Sequence, residues 1–159
     1  MRQRLILLLV VVALLLLAGW QLRHDESSEP GPLTALDPAH ITRITLSLPG
    51  SPTQHYEKRA GHWWRIDGTP VRALDGRLSE LADTAAAQVL SWRPASDFEL
   101  ARIGLAPPQA VLGLNGQRLE FGEMSVTGPQ HFVRVGERIA LVSARYMPRS
   151  PATPITELH

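Results

Sequence analysis

The 159-residue chain contains no cysteine. Disulfides, thiolate-ligated zinc and lipid attachment through an N-terminal cysteine are therefore excluded. The absence fits an oxidising compartment without demonstrating one. Lysine is nearly missing as well, since 15 of the 16 basic residues are arginine. The arginines are scattered along the chain, which fits a base-composition bias; phosphate recognition would require clustering. Beyond Leu22 the 15 acidic residues meet 14 basic ones, a net charge close to −1. A nucleic-acid binder would carry a basic patch or stripe, so nucleic acid is not an expected partner.

Catalytic signatures are also missing. There is no G-x-S-x-G, no phosphate loop, no G-x-G-x-x-G and no H-E-x-x-H. The six histidines, at 24, 40, 55, 62, 131 and 159, form no ligand pair on one face. His55 and His62 flank one predicted hairpin, and the simplest reading is two partly exposed strand histidines. Asp97 and Glu99 lie two residues apart and would not face each other on a helix. The sequence thus predicts no catalytic residue, no cofactor, no metal and no enzymatic activity.

What is present begins with an uncharged run of 18 residues, Leu5 to Leu22. As a helix it would span about 27 Å, close to the hydrocarbon thickness of a bilayer. Arg2 and Arg4 precede it, Arg23 follows it, and Trp20 suits an interfacial aromatic. A cleaved signal peptide would have a shorter apolar core and a small-x-small site. Here Ala18 and Gly19 are preceded two residues earlier by Leu16 and Leu17. The run therefore predicts a retained signal anchor over residues 1–22, with the basic N-terminus inside and the bulk of the chain in the periplasm. Residues 23–38, polar and proline-bearing, read as a flexible tether. An extracytoplasmic domain follows over 39–147, then a proline-rich tail over 148–159.

Within the domain, Ile44, Leu46 and Leu48 alternate with polar residues as in a half-buried strand. "TQHYEKR" and "HWWRI", separated by Ala60-Gly61, complete a three-stranded meander. Trp63 and Trp64 must point to opposite faces. Trp64 is expected in the core with Tyr56 and Ile66, and Trp63 on the other face. Leu74, Leu78, Leu81, Ala85 and Val89 form one helical stripe across "VRALDGRLSELADTAAAQVLSW", with Asp75 as N-cap.

The clearest signals lie between Ser96 and Gly116. Ser96 and Glu99 have the spacing of a capping box. Gly104 is placed to end that short helix in the left-handed conformation, and Pro107-Pro108 forbid its continuation. Asn115-Gly116 is a hairpin turn that sets Leu112 opposite Leu119 and Ala110 opposite Phe121. A second hairpin, "HFVRV-GER-IALVS", follows. The two halves echo each other as strand, turn, strand, glycine turn, strand. Duplication and an ordinary run of meanders both give this pattern. The reading is an α+β fold: an N-terminal transmembrane helix, then antiparallel meanders and hairpins packed with one long and one short helix. The segment from Ser96 to Gly116 is the expected joint between halves, so Gly104→Val is expected to destabilise more than Gly113→Val in ordinary strand.

The arrangement of "DPAHITRITL", "GHWWRI", "PVRALDGRLSELAD", "PASDFELARIGLAPPQAVLGL", "LEFGE" and "HFVRVGERIALV" resembles the bacterial domain of unknown function 4340 family, over about Asp37 to Val142. The motifs are architectural, so no functional residue is carried over. The resemblance implies a membrane-anchored envelope protein, an accessory or assembly partner of an envelope or ABC-type transport complex. A bitopic subunit of a secretion apparatus and a periplasmic ligand-binding module are the alternative expectations. Retention of the anchor is testable by intact mass spectrometry of membrane fractions. The full-length mass is expected, and a mature form beginning near residue 20 would refute it.

Overall fold

The computed structural model describes residues 1–26 and 30–151. Helix α1, Arg2–Glu26, contains a 20-residue stretch, Arg2–Gln21, with mean hydropathy 2.3 and none of it buried against protein. It is long and apolar enough to cross a membrane. The helix is apolar on every side up to Gln21, as expected of a segment solvated by lipid and unlike an amphipathic surface helix.

The remainder is an α+β domain built on one antiparallel sheet of nine strands. Strands β1 (Arg43–Ser47), β2 (Gln54–Arg59), β3 (His62–Arg65) and β4 (Val71–Arg72) form a first meander. Helix α2 (Asp75–Asp83) and a 3₁₀ turn, Thr84–Ala86, carry the chain to β5 (Val89–Pro94) at the far edge. Strands β6 (Ala110–Leu114), β7 (Gln117–Met124), β8 (Gln130–Val135) and β9 (Arg138–Ser143) form the second meander. The spatial order is β4-β3-β2-β1-β6-β7-β8-β9-β5. The first strands of the two meanders therefore meet at the centre, with Ile44 opposite Leu114 and Leu46 opposite Leu112. Both stretches of the echo in the sequence form antiparallel meanders, and the β1–β6 pairing that joins them is no part of that echo.

Two turns set the registers. Ala60 and Gly61 have φ of 49° and 78°, and Asn115 and Gly116 have 48° and 87°. Both are two-residue turns whose positive φ matches the twist of the flanking strands. Asn115-Gly116 places Ala110 opposite Phe121 and Leu112 opposite Leu119, as the sequence predicts. Gly136-Glu137 closes the last hairpin with Val135 opposite Arg138.

One face of the sheet packs under α2. Ile44, Leu46, Tyr56, Leu112, Leu114, Leu119, Phe121, Val133 and Val142 meet Leu78, Leu81, Ala82 and Ala85 in one core. Trp63 belongs to this core at 2% exposure, while Trp64 is only partly buried. This reverses the expectation for the pair. The Ala60-Gly61 turn pairs Lys58 with Trp63 and Glu57 with Trp64. Trp63 thus shares a face with Tyr56, and Trp64 lies on the opposite one.

The long helix is shorter than its stripe. Leu78, Leu81 and Ala85 are buried as predicted, but Leu74 is 45% exposed and Val89 begins a strand. Competition for backbone groups explains the break. Gly31 O accepts from Val89 N–H at 3.0 Å and Leu33 N–H donates to Ala87 O at 2.9 Å, both ladder-bond distances. The same bonds shorten the tether. Leu33 is 2% exposed and Thr34 Oγ1 donates to Ala85 O at 2.9 Å, so the chain joins the domain well before residue 38. Residues 27–29 of the expected tether and 152–159 of the expected tail lie outside the described residues.

The Ser96–Glu99 capping box does not form. Ser96 sits within a 3₁₀ turn, Ala95–Asp97, and Glu99 precedes a second one, Leu100–Ile103, with no side-chain cap bond. Between them Phe98 is extended, with φ −122° and ψ 147°, and its ring packs edge-on against Phe132 at 5.7 Å. That extended residue separates the two halves of the motif, and Glu99 pairs instead with Arg102 at 3.0 Å. The C-terminal half of the reading holds. Gly104 has φ 70° and ψ 27°, and Leu105 N–H reaches back to Leu100 O at 2.9 Å. The prolines at 107 and 108 follow, and β6 begins at Ala110.

This segment packs on the second face of the sheet. Leu105 and Ile139 are buried there, outside the main core. The approach is close enough to need glycine on β7: a Cβ on Gly122 would lie 2.3 Å from Ile103 O. A Cβ on Gly104 would lie 2.8 Å from Glu123 N, besides the strain of its positive φ. Gly113 is not the tolerant position the sequence suggests, because a Cβ there would lie 2.1 Å from Thr45 Oγ1. That obstacle is one removable hydroxyl. Gly104→Val and Gly122→Ala are each expected to cost about 1–3 kcal/mol. Gly113→Ala should also destabilise but recover in a Thr45→Ala background. Thermal melts of the detergent-solubilised chain check this. If Gly113→Ala is unrelieved by the second substitution, the Thr45 contact is not its cause.

Candidate functional site

Three aspartates share one local design. Asp37 Oδ1 accepts from Ala39 N–H at 2.9 Å and Oδ2 lies 2.9 Å from His40 Nδ1. Asp67 accepts from His55 N–H at 2.8 Å and lies 2.7 Å from His55 Nδ1, with Arg65 Nε at 3.3 Å. Asp75 accepts from Trp63 N–H at 2.8 Å. It also lies 2.8 Å from His62 Nδ1 and 2.7 Å from an Arg72 nitrogen. Arg72 and His62 also touch each other. Asp75 therefore does not cap its own helix. It is the first residue of α2, and its carboxylate reaches across to β3, tying helix to sheet edge.

These contacts set the electrostatics. In each case the largest influence is the backbone N–H, which stabilises the ionised carboxylate and holds it below the usual range. The neighbouring imidazoles add to this, and Arg65 and Arg72 reinforce it at Asp67 and Asp75. His55 and His62 do not face each other. His62 pairs across the hairpin with Arg59, and His55 pairs with Thr45, so each histidine has its own aspartate.

Around this edge lies a groove of about 580 Å³. Tyr56, Arg65, Asp67 and Thr69 supply polar groups, while Val71 and Leu74 supply an apolar rim. Val71 is 60% and Leu74 45% exposed. Tyr56 O–H donates to Gln54 Oε1 at 2.8 Å, and burial pushes the phenol upward from its ordinary value. Among the described residues no group of three or more His, Asp or Glu is placed to hold a metal ion. The groove offers guanidinium donors, a carboxylate and an apolar wall, a combination suited to recognition by contact.

The other sequence-predicted residues are dispersed. Leu5 and Trp20 lie along α1, exposed, with Arg2 and Arg4 in its first turn; Leu22 lies within the helical span. Ser96, Glu99, Gly104, Pro107 and Pro108 lie on the second sheet face, and Asn115-Gly116 at the central turn. Sequence reasoning passed over Asp67 and Arg72, and gave Asp75 a different role. Asp67-Gly68 at a turn and Asp75-Gly76 at a helix start were the available signals, as aspartates at element boundaries close in sequence to His55 and His62. No known family matches the chain, and neither a curated protein nor a solved structure does so.

The sign of the pH effect follows from the depressed aspartate. A carboxylate with a folded pKa below its unfolded value contributes stability above the unfolded value and loses it as pH falls through the folded one. Asp75→Asn is therefore expected to lower the melting temperature at pH 7, with the gap to wild type narrowing below about pH 4. Melts across that range check it; a gap that is constant with pH would remove the charge as the cause.

Proposed function

We propose that the chain is a bitopic inner-membrane protein, anchored by α1 with its N-terminus in the cytoplasm. Its α+β domain works in the periplasm, without catalysis, as an accessory or assembly partner of an envelope complex. The observation that carries this reading is α1 itself. A helix with mean hydropathy 2.3 and no burial against protein has lipid as its natural environment. Arg2 and Arg4 on its N-terminal side favour cytoplasmic retention of that end. The exposed Val71 and Leu74 beside a polar-lined groove support a surface that works by contact. ABC-type transport assemblies are the class of complex that the family resemblance implies.

The absence of native cysteine makes the test direct. Ser51→Cys, in the exposed turn between β1 and β2, provides a single thiol. A membrane-impermeant maleimide should label it in spheroplasts as well as in lysed cells. Labelling only after lysis would reverse the orientation, and release of the protein by alkaline carbonate would remove the anchor. In gently solubilised membranes the chain is expected to migrate in a complex larger than itself; migration only as a free monomer would refute the accessory role.

A further inference from the structure

The domain pairs most of its arginines with carboxylates. Arg59, Arg65, Arg72, Arg77, Arg93, Arg102, Arg118 and Arg134 each lie within 4.0 Å of a carboxylate. Arg138 is stacked 4.2 Å from the Trp92 ring centre instead. Arg43, Arg145 and Arg149 have no carboxylate partner among the described residues; Arg145 lies 4.6 Å from the Tyr146 ring centre, and it converges with Arg149. Both line one cavity of about 250 Å³ together with Arg77, Tyr146 and Thr84. Among the described residues the one carboxylate lining it is Glu80, which Arg77 already holds at 3.3 Å.

Residues far apart in the chain thus line one cavity with three arginines and, among the described residues, one carboxylate. Their frame is fixed from below. Thr84 is 1% exposed, Tyr146 and Met147 pack on the core, and Pro148 and Pro151 are buried on either side of Arg149. Arg145 donates to Tyr146 Oη at 2.5 Å, which leaves the phenolic O–H free to donate elsewhere. Gathering like charge is unfavourable unless an anion answers it, and the planar donors of arginine match phosphate oxygens in particular.

We propose that this cavity binds a phosphoryl anion, held by Arg145 and Arg149 with Arg77 and the Tyr146 hydroxyl completing the donor set. The anion is either the phosphate of an acidic lipid headgroup or that of a soluble phosphate ester. The inference is independent of the accessory role, since it rests on the cavity alone.

The test uses the full chain in uncharged detergent, with inorganic phosphate as probe and calorimetric titration as readout. Saturable binding is expected. Arg145→Gln and Arg149→Gln should each weaken it about tenfold, the loss of one charge-assisted contact. Arg118→Gln, whose partner Glu120 lies 3.0 Å away, should leave it unchanged. Unchanged melting temperatures of the Gln variants establish that folding is intact. A second arm repeats the titration in phosphatidylcholine nanodiscs with and without phosphatidylglycerol. Competition by phosphatidylglycerol identifies the lipid headgroup as the source, and its absence identifies a soluble phosphate. No saturable binding, or binding indifferent to Arg145 and Arg149, overturns the proposal.

Discussion

The pairing of β1 with β6 is the contact on which the domain depends. Each meander is held internally by short turns, but nothing local joins one to the other. The union comes from Ile44 against Leu114 and Leu46 against Leu112, all nearly inaccessible to water. Asn115 locks the register. Its Oδ1 accepts from Thr42 N–H at 3.0 Å and Arg43 N–H at 3.1 Å, and its Nδ2 donates to His40 O at 3.2 Å. The residue that turns the first hairpin of the second meander thereby also receives the start of β1 from the first meander. Aspartate would keep the acceptor and lose the donor, and glycine would lose both.

Once that seam exists, the rest of the architecture follows from covering two faces. The α2 side is apolar and continuous. The other side is divided: Leu105 and Phe98 pack against β7 and β8, with Ile139 of β9 buried on the same face, while β1 and β2 present Arg43, Thr45, His55, Glu57 and Arg59 to solvent. Exposed ion pairs such as Arg59 with Glu57 contribute little stability each, about 0–1 kcal/mol at most. Their larger effect is to keep that half of the sheet soluble. Aspartates at the edge act differently, since Asp75 joins backbone, histidine and arginine from separate elements.

The sequence was most legible where chemistry and periodicity agreed. The Asn115-Gly116 turn and the residues it sets opposite one another needed no tertiary knowledge. Gly104 at a helix end was equally readable. The Trp63 and Trp64 faces were readable too, because counting back from Ala60-Gly61 gives the observed pairing; expecting Trp64 in the core ignored that turn. Other features were hidden. Val89 continues a helical stripe in sequence, and only its distant partners, Val142 on β9 and the backbone of Gly31, explain why it becomes a strand. Ser96 and Glu99 have capping spacing, and only Phe132 explains why Phe98 is extended between them. The gathering of Arg77, Arg145 and Arg149 is likewise a product of the fold, invisible in a chain whose arginines are scattered.

The place of β5 has a consequence in time. The chain forms this edge strand directly after α2, yet its neighbour β9 is synthesised last in the sheet. Val89 therefore waits for Val142, and Trp92 for Ala140, while β6, β7 and β8 are still to be made. Pairing of such high sequence separation carries a large closure entropy and is slow. A chain made in this order exposes an unpaired edge containing Leu90 and Trp92, a surface prone to association with other chains. The bonds from Gly31 and Leu33 to Val89 and Ala87 persist beside the β5–β9 pairing, so the segment that follows α1 tethers the start of this strand to residues made before it.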